Sequence, residues 1–224
     1  IEGNTIYAVT GGLVLDFGAG QLIIGNPRGP LETHLQFPDF GGSRITNLEL
    51  GTLGSGLVYT ARVLLDADVM GVRYDHDLGA TDFAVAAYDV EGTTLFEAAV
   101  KHEAGNLVYV LGADIFEQRG TTNSIVTAAV TGTWGKIGAG VQGNFVSGRF
   151  GPGGGDSLHA YASYDVTDRF TVTAAAVSLS ESKIGTLYAL SANYDITPNL
   201  YVHGGLIAQG NRDTLYSLAF GAKF

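Results

Sequence analysis

The sequence predicts an all-β protein, namely an antiparallel up-and-down β-barrel that spans a membrane. Apolar and polar side chains alternate with a period of two residues along most of the 224 positions, which is typical of strands with one apolar face. Only 15% of the residues are charged, and no stretch approaches the roughly 20 apolar residues of a spanning helix. A large soluble β protein would share the alternation. The low charge and the repetition over a dozen long strands favour the membrane barrel.

The alternation is clearest in SLHAYASYDV at 157–166 and recurs at 186–196. A helix would require apolar spacings of three and four residues, and no segment shows them convincingly. The period-two pattern predicts thirteen strands, at 5–16, 20–26, 69–77, 81–90, 94–103, 106–117, 123–134, 136–147, 157–166, 169–179, 184–196, 199–209 and 214–224.

The predicted connections differ in length. Tight turns are expected at 18–20, 79–80, 105–106, 135–136, 167–168 and 197–199, and longer polar connections at 119–122, 149–156 and 211–213. From residue 78 onward short and longer connections roughly alternate, which predicts tight turns on one rim of a barrel and loops on the other. Tyr164 and Tyr194 lie close to turns and Phe224 ends the chain, as expected for an interfacial aromatic girdle.

Composition also excludes several functions. The chain has no cysteine, which excludes a disulfide scaffold and a cysteine nucleophile. Its formal net charge of −10 argues against nucleic-acid binding. No Gly-x-Ser-x-Gly motif is present and the five histidines have no paired spacing, so we expect neither an enzyme nor a cofactor. Calcium at acidic loops stays open, because oxygen ligands are plentiful.

One segment breaks the alternation. Residues 27–68 hold three of the five prolines, and their middle reads Phe-Pro-Asp-Phe-Gly-Gly at 37–42. A stretch this long without regular structure inside a compact domain is usually functional or else misassigned. Within it, 56–65 alternates weakly and could form a further strand.

These residues resemble the general bacterial porins, most closely in texture those of alphaproteobacteria. The strand GQLIIGN at 20–26, the loop with FPDFGG at 37–42 and the ending FGAKF at 220–224 carry the resemblance, which covers nearly the whole chain. In that family the third loop folds into the barrel, and in the enterobacterial members it carries a Pro-Glu-Phe-Gly-Gly motif. Asp39 stands in the place of the motif's glutamate.

The resemblance implies one barrel domain over 1–224, with the inward-folded constriction loop contained in 27–66. It implies a water-filled outer-membrane channel of a Gram-negative bacterium, a homotrimer in contact with the bilayer and lipopolysaccharide, that passes ions and small hydrophilic solutes. The family has 16 strands and its inward loop follows the fifth, whereas here the loop follows the second. We therefore expect about three N-terminal strands to be absent, or 14 strands if 56–65 adds one.

The same resemblance places charged side chains at the pore waist. Three loop carboxylates are candidates for the constriction, and two flanking arginines would either line the pore or anchor the loop: Glu32, Asp39 and Glu49, with Arg28 and Arg44. Charges in a narrow aqueous gap set ion selectivity, so the acidic loop and the net charge predict weak cation preference. The alternative is that these are solvated loop acids.

Two charged pairs fall on the same predicted face and would form part of the lumen wall. They are Arg73 with Asp75, two residues apart, and Glu97 with Lys101, four residues apart. The plainer interpretation is a hydrated wall whose local ion pairs contribute little. A rival for the whole chain is a smaller closed outer-membrane barrel that acts as an adhesin or a lipid-modifying enzyme.

Overall fold

The computed structural model describes residues 10–35, 37, 57–58, 67–118, 120–148, 155–180, 185–209 and 214–222. These residues form one antiparallel sheet of thirteen strands in which each strand pairs with the next along the chain. The elements are β1 Gly11–Asp16, β2 Gly20–Asn26, α1 Pro30–His34, β3 Val69–Asp77, β4 Thr81–Val90, β5 Thr93–Ala104, β6 Leu107–Gln118, β7 Thr121–Trp134, β8 Ile137–Ser147, β9 Ser157–Thr167, β10 Phe170–Leu179, β11 Thr186–Thr197, β12 Leu200–Gln209 and β13 Leu215–Ala222.

The predicted up-and-down arrangement of strands is confirmed. All thirteen predicted strands are found, and β2, β3 and β4 have the predicted bounds. The first predicted strand, 5–16, is described only from Thr10 onward. Within the described residues, β1 pairs with β2 alone and β13 with β12 alone, so these two strands form the edges of the sheet.

The two faces of the sheet differ in chemistry. We call the face against which α1 packs the inner face, and the other the outer face. Residues that are paired across neighbouring strands point to the same face. Ala86 pairs with Glu97 and Glu97 pairs with Asp114, and all three lie on the inner face. The outer face exposes large apolar side chains strand after strand, among them Val85, Phe96, Leu111, Ile115, Leu158 and Tyr188. A contiguous apolar surface of this kind favours an apolar surrounding over water.

The two ends of the strands are connected differently. At one end all six connections have two or three residues: 17–19, 78–80, 105–106, 135–136, 168–169 and 198–199. Gly79 and Gly105 there have positive φ angles of 84° and 62°, which suit glycine in tight turns. At the other end lie the longer connections 27–68, 148–156, 180–185 and 210–214, together with two-residue connections at 91–92 and 119–120. One prediction is wrong: the polar connection expected at 119–122 has only two residues, 119–120, because β7 begins at Thr121.

The structure corrects the expectation that helix is absent. The five-residue helix α1 begins with Pro30, whose fixed φ angle suits the first helical position. Its length is too short to show a helical period in the sequence. Leu57 and Val58 are also helical, so the proposed strand at 56–65 is wrong at its two described residues. Among the described residues, no helix has the length and apolarity needed to span a membrane.

Candidate functional site

Helix α1 lies on the inner face over β4, β5 and β6. Leu31 is fully buried there, in a cluster with Ala99, Val110 and Ala129. The wall is shaped for this side chain, because a Cβ on Gly112 of β6 would collide with Cδ2 and Cγ of Leu31. The first described part of the long connection is therefore packed into the face of the sheet.

Arg73 of β3 fixes the start of the connection. Its Nη1 donates hydrogen bonds to the carbonyl oxygens of Arg28 (2.9 Å) and Gly29 (3.2 Å), and its Nη2 donates to Thr33 Oγ1 (2.8 Å). Its Nε donates to Asp75 Oδ1 at 2.8 Å, so the predicted Arg73–Asp75 pair forms. The buried guanidinium thus uses its rigid fork of donors mainly to hold loop backbone.

Two buried carboxylates face the same segment. Glu97 of β5 and Asp114 of β6 are directly opposite each other in the register and are 2% and 1% exposed. Glu97 Oε1 accepts a hydrogen bond from the Leu31 amide at 2.6 Å, and Asp114 Oδ1 accepts one from the Leu57 amide at 3.3 Å. Glu97 was expected in a hydrated wall, but the connection covers it and removes it from water. We call Arg73, Asp75, Glu97 and Asp114 the charged wall.

The loop residues predicted at the constriction divide into two groups. Glu32 Oε1 pairs with Arg28 Nε at 3.5 Å and Glu32 Oε2 accepts the Gly29 amide at 3.2 Å, so Glu32 stabilises the first turn of α1. The Arg28 side chain is 63% exposed. Its backbone carbonyl, rather than its guanidinium, contacts the wall, since it accepts from Arg73 and from Tyr88 Oη (3.0 Å). Asp39, Arg44 and Glu49 lie outside the described residues.

Lys101 shares the inner face with Glu97, as predicted, but pairs elsewhere. Its Nζ lies 2.8 Å from Asp82 Oδ2 and 3.0 Å from Glu103 Oε1. These side chains are more exposed than those of the charged wall. Lys101 and its partners therefore form a separate ion-pair group.

A second polar region lies on β7, β8 and β9, and we call it the neutral wall. Asn144 is its centre: Oδ1 accepts hydrogen bonds from Thr127 Oγ1 (2.9 Å) and Gln142 Nε2 (3.0 Å), and Nδ2 donates to Ser157 Oγ (2.9 Å). His159 Nε2 is 3.0 Å from Ser157 Oγ and 3.3 Å from Asn144 Nδ2. All five side chains are buried, and none carries a formal charge when His159 is neutral.

The neutral wall contains serine, histidine and asparagine, but not in a hydrolase arrangement. In a catalytic triad the base contacts the nucleophile with one ring nitrogen and its orienting group with the other. Here Ser157 and Asn144 both approach Nε2 of His159. Ser157 is also buried, which denies a substrate access to its hydroxyl. The geometry therefore supports no acyl-transfer chemistry.

Phe37 shows that the connection crosses the inner face. Its ring meets Tyr161 of β9 edge to face with centroids 4.9 Å apart, and lies 6.5 Å from the His159 ring. Leu31, six positions earlier in the chain, is packed over β5 and β6. The chain therefore runs from the charged wall to the neutral wall between these two residues.

An open pocket of about 450 Å³ lies between the start of the connection and the edge of the sheet. Arg28, Thr33, Arg73 and Asp75 provide its polar lining, together with Gln21, and residues of β1 and β2 provide the remainder. The volume of the pocket is large enough for water and small polar solutes, and its charged lining favours them over apolar ones.

His34 ends α1 in a buried position. Its Nδ1 lies 3.2 Å from Thr33 Oγ1, while Nε2 has no hydrogen-bond partner among the described residues. Burial lowers the pKa of His34 below its ordinary value of 6.5, and the positive charge of Arg73 lowers the pKa further. The docked helix therefore favours neutral His34.

Sequence reasoning missed several of these residues. Asp114, Tyr88 and Thr33 were not proposed, and neither was the group around Asn144. The alternation does place Asp114 and Asn144 on the inner face. Their partners are distant in the chain or on other strands, and alternation carries no information about such contacts.

Comparison with known proteins gives the class of fold. No family model and no curated protein matches the chain. A triple mutant of the Rhodopseudomonas blastica porin matches with a TM-score of 0.68 at 14% identity, over 93% of this chain and 74% of that one. A loop L8 deletion mutant of OmpT, an outer membrane protein of Vibrio cholerae, matches with a TM-score of 0.62 at 17% identity, over 93% and 76%.

The chain therefore has a porin-like fold, and the resemblance predicted from its motifs is confirmed at the level of fold. A second mutant of the same Rhodopseudomonas blastica protein matches over 94% of this chain with a TM-score of 0.66 at 13% identity. The two Rhodopseudomonas blastica proteins are porins.

Proposed function

We propose that this protein is an outer-membrane porin, a passive channel for ions and small hydrophilic solutes. In this proposal the sheet closes into a barrel, its outer face contacts lipid and its inner face surrounds water. The observation that carries the proposal is the path of the long connection, which starts on the charged wall and reaches the neutral wall at Phe37. A segment laid across the inner face of a barrel narrows the opening through it.

We further propose that segment 27–66 is the constriction loop, with Asp39, Glu49 and Arg44 beyond the described part of it. On the start of the connection and on β3 to β5, three cations lie among four partly exposed carboxylates: Arg28, Arg73 and Lys101 against Glu32, Asp75, Asp82 and Glu103. Excess negative charge beside a narrow aqueous path lowers the energy of cations there, which supports weak cation preference.

The finer architecture belongs to the same proposal. Single-chain bacterial barrels close with an even number of strands, so thirteen strands do not close one. We propose sixteen strands in the closed form, as the porin resemblance implies, and a homotrimer in an outer membrane containing lipopolysaccharide. A detergent-corrected mass equal to one chain would exclude the trimer.

Reconstitution in planar bilayers tests the channel. The protein should give stable ohmic conductance, and zero-current potentials in a salt gradient should show weak cation preference. Asp39→Asn should reduce that preference without loss of folding, and Lys136→Gln in the exposed turn 135–136 is a charge-changing control away from the loop. Folded protein without conductance would refute the channel, whereas an anion-selective potential would refute only the selectivity.

A further inference from the structure

We propose that Glu97 and Asp114 act as one clamp that fixes both limbs of the long connection to a single place on the sheet, and so set the aperture of the pore. This inference rests on the proposed function, because an aperture exists only in a channel. Both residues are positioning residues: they act on permeating solutes through the loop that they hold.

The first step is the placement of the two carboxylates. Glu97 and Asp114 are cross-strand partners on adjacent strands, so their side chains leave the sheet side by side on the inner face. Leu31 lies at the start of the long connection and Leu57 near its return to β3, yet their amides bond to these two neighbouring residues. The entering limb and the returning limb therefore meet the wall at one point.

The second step is the strength of the contacts. A hydrogen bond that is removed from water is stronger than the same bond at the surface. Glu97 and Asp114 are almost completely buried, and Glu97 Oε2 and Asp114 Oδ2 have no hydrogen-bond partner among the described residues. Burying two acids side by side is unfavourable unless hydrogen bonds compensate. The compensating bonds found here come from the Leu31 and Leu57 amides of the long connection.

The third step is the shape of the site. Gly29 lies so close to Glu97 that a Cβ on it would sit 2.7 and 2.8 Å from the two carboxylate oxygens. Gly112, two positions before Asp114 on β6, leaves space for the Leu31 side chain. Small residues on both the loop and the wall thus allow the close approach that the Leu31 amide needs.

Amide hydrogen exchange in detergent micelles, read on peptides that contain Leu31 or Leu57, tests the clamp in the full chain. Glu97→Met should accelerate exchange at Leu31, and Asp114→Leu should accelerate exchange at Leu57, each by about tenfold, because the apolar side chains cannot accept the loop amide. Amides within β5 and β6 should keep their wild-type rates. Glu103→Met is the matched control, because Glu103 is an exposed acid on β5 that pairs with Lys101, and it should change neither loop amide.

A second variant approaches the clamp from the loop. Gly29→Ala leaves every wall residue intact but pushes the entering limb away from Glu97, so it should also accelerate exchange at Leu31. Unchanged exchange at both loop amides in all three variants would overturn the clamp. Faster exchange throughout β5 and β6 would also overturn it, since that result indicates a merely structural role.

Bilayer recordings of the same variants separate the clamp from the proposed function. If the wild type conducts, Glu97→Met and Asp114→Leu should each increase open-channel current noise, and the double variant should resemble the stronger single variant because the two act as a unit. Additive effects would contradict a single clamp. A wild type that folds but does not conduct refutes the channel, and the exchange result then still decides whether the clamp holds the loop.

Discussion

The charged wall and the neutral wall use buried polar groups in different ways. Arg73, Glu97 and Asp114 direct hydrogen bonds outward to the backbone of the long connection. The neutral wall directs its hydrogen bonds inward, around Asn144, and its described contact with the connection is the edge of the Phe37 ring. The connection is thus held by polar contacts to the charged wall at its base and by apolar packing where it reaches the neutral wall.

This difference indicates which part of the loop can move. Charge-assisted bonds in a dry site are strong and directional, whereas one aromatic contact contributes about 0.5–1.5 kcal/mol beyond its buried area. The base should therefore stay fixed when the crossing part is disturbed. The following predictions test that asymmetry, beginning with the largest expected effect.

Arg73→Met should destabilise the protein by about 3–5 kcal/mol, because it leaves Asp75 without its cation and removes three hydrogen bonds to the start of the connection. Urea unfolding from lipid vesicles measures the change. Lys101→Met is the matched control: its ion pairs are more exposed, and its loss should cost about 1 kcal/mol or less. Equal effects of the two substitutions would show that the charged wall has no special role.

Asn144→Ala should destabilise the protein by about 1–3 kcal/mol, since Thr127, Gln142 and Ser157 all lose a buried hydrogen-bond partner. The free energy of unfolding measures this loss. Asn193→Ala, which removes one 3.3 Å bond to Asp195, should have less effect. Exchange at the Leu31 amide should not change, and faster exchange there would mean that the two walls are not independent.

Phe37→Ala should remove the contacts with Tyr161 and His159, at a cost of about 1 kcal/mol. The crossing part of the connection should then fluctuate more, which single-channel recordings would detect as increased current noise. Tyr164 is on β9, like Tyr161, but its ring lies on the outer face. Tyr164→Ala should therefore leave the current noise unchanged. Wild-type current noise in the Phe37→Ala variant would contradict the proposal that Phe37 packing holds the crossing part of the connection.

The smallest effect should be the pH dependence of helix docking. Because the pKa of His34 is lowered when α1 is docked, the docked state binds fewer protons than the undocked state. Docking should be fully stable above the ordinary pKa of 6.5 and should weaken as the pH falls below it. Arg73 and Lys101 oppose protonation, while Asp75 and Asp82 partly compensate. The difference in Leu31 amide exchange between wild type and His34→Gln, measured from pH 7 to pH 5, isolates this contribution.

The sequence was sufficient to predict the sheet but not the site. Strand alternation is a local property, so β3 and β4 were predicted with their observed bounds. It also placed Arg73 beside Asp75 and put Glu97 and Lys101 on one face. It did not predict that Glu97 is buried, because the Leu31 amide that covers it is 66 positions away in the chain. Helix α1 was missed because five residues are too few to show a period.

The central claim is that the long connection narrows a water-filled pore. It is tested by comparing the single-channel conductance of the wild type with that of a variant lacking residues 32–46. The deletion removes most of α1 and Phe37, while β2 and β3 keep their register. With both proteins folded in planar bilayers, the deletion should raise single-channel conductance by about twofold, because the narrowest part of the path widens. Unchanged conductance in the folded variant would mean that the connection does not narrow the path, and would contradict the account.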